Sequence, residues 1–158
     1  MGLLYMFLAL TSCAQIEENE PVNANDDMDL EDDLKQEEDP TSNIVKYLAL
    51  GDSYTIGQSV DENERWPVQL VNELKTRNIK ISQPTIVATT GWTTDELQKA
   101  IYNADIASSY DLVSLLIGVN NQYRGYPIAQ YEKEFEELLQ KAISLSGSKR
   151  KTFVVSIP

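Results

Sequence analysis

The segment Leu48-Ala-Leu-Gly-Asp-Ser-Tyr-Thr-Ile-Gly57 runs from an apolar stretch directly into Gly51-Asp52-Ser53. A serine placed where a buried strand should end is a candidate nucleophile, since its hydroxyl attacks an acyl carbon once a base takes its proton. Histidine is the usual base, and the 158 residues contain none. Two more segments, Thr89-Thr90-Gly91-Trp92 and Gly118-Val119-Asn120-Asn121, each follow an apolar run with small and polar residues. All three have a structural alternative. Serine is a favoured helix N-cap, and glycine and asparagine shape turns. Asp52 is expected to bond the local backbone. Tyr54 and Trp92 either line a pocket beside these segments or pack in the core.

The elements that must position these residues follow from periodicity. Ile44–Leu50 is short, apolar and rich in strand formers, and Gly51 ends it. Arg65–Leu74 is helical, with Pro67 in its first turn and Trp66, Leu70, Val71 and Leu74 on one face. Lys80–Ala88 reads as a second strand, and Pro84 places it at an edge or a bulge. Thr93 and Glu96 have capping-box spacing ahead of a stripe of Leu97, Ala100, Ile101 and Ala104. Leu112–Ile117 is almost continuously apolar, as a strand covered on both faces is. Pro127–Ser146 is the clearest helix, with Gly147 past its end and a stripe of Ile128, Tyr131, Phe135, Leu138, Leu139, Ala142 and Leu145. Thr152–Ile157 is the fourth strand. Alternating strands and helices predict an α/β fold with a mainly parallel sheet. In such sheets the crevice lies beyond the carboxyl ends of the strands, which brings the segments ending in Ser53, Gly91 and Asn120 to one rim.

Gly51-Asp-Ser-Tyr54, a glycine after the second strand, and Gly118-Val-Asn-Asn121 after an apolar strand resemble the first three sequence blocks of the SGNH (GDSL-type) hydrolases. The resemblance runs in order over residues 44–121, and the strand at 152–157 continues it. It implies a three-layer α/β/α flavodoxin-like fold and cleavage of esters through an acyl-serine. By resemblance Ser53 is the nucleophile. The backbone N–H of Ser53, the backbone N–H of Gly91 and the side-chain amide of Asn120 form the oxyanion hole. Donors fixed around a developing oxyanion each contribute about 3–4 kcal/mol to the transition state. No metal or cofactor is implied.

The family's fourth block, Asp-x-x-His, has no counterpart in these residues. The sheet also stops on its fourth strand with no covering helix, so the domain is expected to be incomplete at its C-terminus. Without a base the chain as it stands is expected to be inactive or nearly so. The alternative is a non-catalytic lipoprotein that keeps the crevice for a glycan or lipid. Small acyl esters, acetylated glycans and lysophospholipids all fit as substrates. A nucleotide binder fits less well, because no Gly-rich phosphate loop precedes a helix.

The net charge of −12 is concentrated in residues 14–42, which hold twelve acids and only Lys35 as a base. That segment lacks aromatics and is poor in apolar residues, so it reads as a disordered acidic tether. Residues 43–158 are nearly neutral, which argues against a nucleic-acid partner. Residues 1–13 place an apolar run, Leu3–Leu10, before Leu10-Thr-Ser-Cys13. The run is too short to span a bilayer as a helix. It resembles a bacterial lipoprotein signal in which Cys13 is lipidated and becomes the anchor, although residues 1–12 carry no Lys or Arg. Glu17, Glu18 and Glu20 resemble the export tags of surface lipoproteins. The expected location is the bacterial cell envelope, on the periplasmic or outer-surface side. Three regions result: 1–13 signal and anchor, 14–42 tether, 43–158 hydrolase domain.

Overall fold

The computed structural model describes residues 44–157. The anchor cysteine and the acidic tether read from the sequence lie outside the described residues. Four parallel strands form one sheet: β1 (Tyr47–Gly51), β2 (Thr85–Ala88), β3 (Leu112–Leu116) and β4 (Thr152–Val154), in the order β2-β1-β3-β4. Five helices accompany it: α1 (Ser53–Ile56), α2 (Trp66–Thr76), α3 (Thr94–Asn103), α4 (Val119–Tyr123) and α5 (Ile128–Ser146). This is the α/β architecture expected from the sequence.

Side chains alternate across β1 as a pleated strand requires. Leu48 and Leu50 join Val113, Leu115, Leu97, Ile101, Leu138 and Ala142 on the face covered by α3 and α5. Tyr47 and Ala49 point the other way, to Val71, Ile81 and the partly buried Trp66, Leu70 and Leu74 of α2. All five residues of β1 are buried, so it is the centre of the layered structure. The layering follows from handedness. The step from β1 to β2 and the return past β1 to β3 run in opposite directions. Right-handed crossovers therefore put α2 on one face and α3 and α5 on the other.

The elements differ from the sequence reading in their ends and in the burial of one side chain. β2 covers only Thr85–Ala88, and residues 80–84 contribute an isolated bridge between Val45 and Ile81. Pro84 has no N–H to donate, so the ladder cannot run through it. β2 is an edge strand, as Pro84 suggested. β4 stops at Val154, short of the expected Ile157. Ile128, placed on the buried stripe of α5, is 69% exposed, whereas Leu138, Ala142 and Leu145 are buried. The capping box is present at Thr93, whose N–H donates to Glu96 at 2.9 Å. On the α2 side the Tyr47 hydroxyl bonds Ser114 Oγ at 2.8 Å, and its ring stacks on Phe153 of β4. Burial pushes the Tyr47 phenol well above the usual tyrosine range.

Leu115 is fully buried at the middle of the larger core. Leu115→Ala should destabilise the protein by about 2–5 kcal/mol in urea unfolding. Tyr102→Ala, at a side chain 90% exposed, should stay within about 0.5 kcal/mol of the parent.

Candidate active site

The direction in which the chain adds strands to the sheet reverses between β1 and β3, and in open parallel sheets such a switch point opens a crevice at the strand ends. The register sets which residues stand there. Gly51 lies opposite Ala88 of β2 and Leu116 of β3. Ser53 then follows by two residues on β1, Gly91 by three on β2 and Asn120 by four on β3.

Ser53 opens α1, and the residue that caps this helix is Asp52. Asp52 Oδ1 accepts the Tyr54 N–H at 3.1 Å, so the capping acceptor is the aspartate and not the serine hydroxyl. Ser53 itself is half-buried. Residue 51 is glycine where the end of β1 leaves no room for a side chain. A Cβ there would land on the Thr55 hydroxyl and within 2.6 Å of the Leu116 carbonyl. Asp52 is fully buried, and its Oδ2 has no hydrogen-bond partner among the described residues. Burial raises its pKa, and the Tyr54 N–H only partly offsets this.

Gly91 occupies the third position of a turn closed by the Trp92 N–H to the Thr89 carbonyl at 3.3 Å. Its φ of +86° is one that glycine adopts freely and that type II turns require at this position. The Asn120 side-chain amide donates to the Trp92 carbonyl at 2.9 Å, so the second and third segments touch. Asn120 lies in α4, a helix of only five residues. Trp92 is half-buried against the larger core, and Tyr54 is 43% exposed.

Several residues that the sequence reading did not select hold these segments together. Asn121 is buried. Its Oδ1 accepts the Thr94 N–H at 3.0 Å, and its amide donates to Thr94 Oγ1 at 2.7 Å. The Thr94 hydroxyl in turn donates to Glu134 of α5. Arg124 donates from Nη2 to the Gly91 carbonyl at 2.6 Å, and its Nη1 lies 3.4 Å from Glu96. The Thr93 N–H, and secondarily Arg124, hold the Glu96 carboxyl below the usual range. The residue types were visible in the sequence, but their partners are 27 to 40 residues away. A cavity of about 480 Å³ lined by Ile44, Lys75 and residues 78–81 opens at the opposite end of the sheet and contains no hydroxyl or acid.

The raised pKa of Asp52 has a definite consequence. The folded protein holds that proton more tightly than the unfolded chain does. The neutral carboxyl therefore contributes stability below the unfolded pKa, and that contribution is lost as pH rises through the folded value. Asp52→Asn keeps the capping acceptor and removes the titration. Melting temperatures taken across pH should show the parent falling relative to this variant as pH rises, and the gap should level off once Asp52 is ionised.

Comparison with known proteins agrees with this fold. The GDSL-like Lipase/Acylhydrolase family matches residues 49–156. No curated protein matches the chain. Among solved structures, TesA superposes with a TM-score of 0.62 at 21% identity, covering 71% of this chain and 60% of TesA. AlinE4, an SGNH-hydrolase family esterase, gives 0.57 at 21%, covering 72% of this chain and 58% of its own. Axe2, an acetylxylan esterase from Geobacillus stearothermophilus, gives 0.54 at 20%, covering 71% and 58%. The chain thus spans about three-fifths of the length of these structures. With a family match over most of the described residues and the same parallel α/β sheet in those neighbours, the chain belongs to the GDSL-like lipase/acylhydrolase family, the SGNH hydrolases.

Proposed function

We propose that the crevice is the acylation site of a serine ester hydrolase. The observation that carries this reading is the placement of Ser53, Gly91 and Asn120 after three adjacent parallel strands, with the Asn120 amide bonded onto the Gly91–Trp92 turn. In the proposed reaction Ser53 Oγ bonds to the ester carbonyl carbon as its proton passes to a base. The carbonyl electron pair moves onto oxygen, where the N–H groups of Ser53 and Gly91 and the Asn120 amide stabilise it. Collapse breaks the bond to the alcohol, which leaves with the proton, and water then releases the acyl group.

The 158 residues supply no histidine for the proton. A serine without a base stays protonated and nucleophilically weak, so the rate rests on the oxyanion donors alone. The substrate class we favour is a small acyl ester or an acetylated glycan. A cavity of about 270 Å³, lined by Gly118, Tyr126, Ile128, Tyr131 and Ile157 among others, adjoins Asn121 and suits a small group. The Axe2 likeness points the same way. The competing reading is a non-catalytic binding protein that keeps the crevice for a glycan or lipid. We further propose that lipidated Cys13 ties the protein to a membrane of the bacterial envelope and that residues 14–42 act as the spacer.

Imidazole added to the full chain tests the catalytic reading, with p-nitrophenyl acetate as substrate and Ser53→Ala as the background. Turnover should be close to background without imidazole. With it, a Ser53-dependent rate should appear and grow with pH as imidazole loses its proton. Asn120→Ala should lower that rate by about 10²–10³-fold. Equal rates for parent and Ser53→Ala at every imidazole concentration would favour the binding reading. For the anchor, labelled palmitate should enter the chain in a bacterial host and be absent from Cys13→Ser; label retained in that variant refutes it.

A further inference from the structure

Within the turn, the space around Gly91 itself is open. The nearest atom to the missing Cβ is Arg124 Nη2, at 3.7 Å. A glycine so placed rotates freely. In a four-residue turn, rotating the Thr90–Gly91 peptide reverses the direction of the Gly91 N–H and converts one turn type into another. Two contacts from α4 and its C-cap fix where this turn sits against the neighbouring loop. The Asn120 amide holds the Trp92 carbonyl at 2.9 Å, and Arg124 Nη2 holds the Gly91 carbonyl at 2.6 Å. The second guanidinium nitrogen of Arg124 faces Glu96 at 3.4 Å, and Glu96 is held by the Thr93 N–H at 2.9 Å. One planar fork therefore joins the end of α4 to the turn at Gly91 and to the first turn of α3.

We propose that Arg124 is a positioning residue of the oxyanion site. It locks the Gly91 turn against α4, so that the Gly91 N–H and the Asn120 amide keep a fixed separation. The inference rests on the reading of Ser53 as the nucleophile of an ester hydrolase. Arginine suits the task because its nitrogens reach two acceptors in fixed directions, which a lysine ammonium on a flexible stem does not. A stabilising role explains it poorly. The side chain is 40% exposed, and an ion pair so exposed contributes little to folding.

Arg124→Ala and Arg124→Lys in the full chain test this with two readouts. In nitrogen-15 NMR, Arg124→Ala should shift the Gly91 N–H and the Asn120 side-chain amide and speed hydrogen exchange at Gly91. Core signals such as Ala142, and the melting temperature, should stay close to the parent. In imidazole-supported turnover, Arg124→Ala should lower kcat by about 10- to 100-fold with KM little changed, and Arg124→Lys should fall between. Unmoved Gly91 and Asn120 signals overturn the proposal. So does a raised KM with kcat intact, which would make Arg124 a substrate contact. If the parent shows no Ser53-dependent turnover, the hydrolase reading fails, and the NMR arm still decides whether Arg124 holds the turn.

Discussion

A strand can join a parallel neighbour only through a crossover, and crossovers are right-handed. That constraint, applied to the order β2-β1-β3-β4, organises the rest of the molecule. Because the chain steps out to β2 and then returns past β1, its helices must divide between the two faces. The strand ends on either side of the reversal cannot be covered by a helix passing over them. An open rim results, and everything the chain places after β1, β2 and β3 faces it. The location of the crevice is thus a property of connectivity, and the side chains only decide what the crevice does.

Connectivity brings the three segments to one rim, and a polar network then fixes them to each other. Asn121 satisfies the backbone of Thr94, Thr94 reaches Glu134 on α5, and Asn120 and Arg124 hold the carbonyls of Trp92 and Gly91. Buried polar groups are costly unless paired, and Asn121 uses both its acceptor and a donor. The network lies close to Gly91 and Asn120 and leaves Ser53 attached through a different device. On that side a glycine admits the backbone of Leu116 and an aspartate caps the helix. The proposed nucleophile and the proposed oxyanion donors are therefore supported independently, one by strand contact and a cap, the others by side chains bridging two loops.

Much of this was legible in the sequence where periodicity had room to repeat. The stripe from Leu138 to Leu145, the Thr93–Glu96 capping box and the apolar run of β3 all matched their elements. The helices α1 and α4 were not legible, because four or five residues contain barely one turn and show no period. The strand expected from residue 80 was cut short at Pro84, where local chemistry overrides an apolar run. Ile128 follows the stripe of α5 but stands in its first turn, beside the open rim, where none of the described residues covers it. Ser53, Gly91 and Asn120 stood out through resemblance to a family. Asn121 and Arg124 did not, since their partners depend on a fold that brings residue 94 to 121 and residue 91 to 124.

The buried tyrosine of β1 gives the molecule a gauge that needs no label. Tyr47 lies under Phe153 of the last strand, and its hydroxyl is tied to Ser114. Burial holds its phenol well above the usual tyrosine range. Tyrosinate absorbs ultraviolet light where the neutral ring does not, and because the chain holds eight tyrosines, this ring is read as the difference between the protein and its Tyr47→Phe variant.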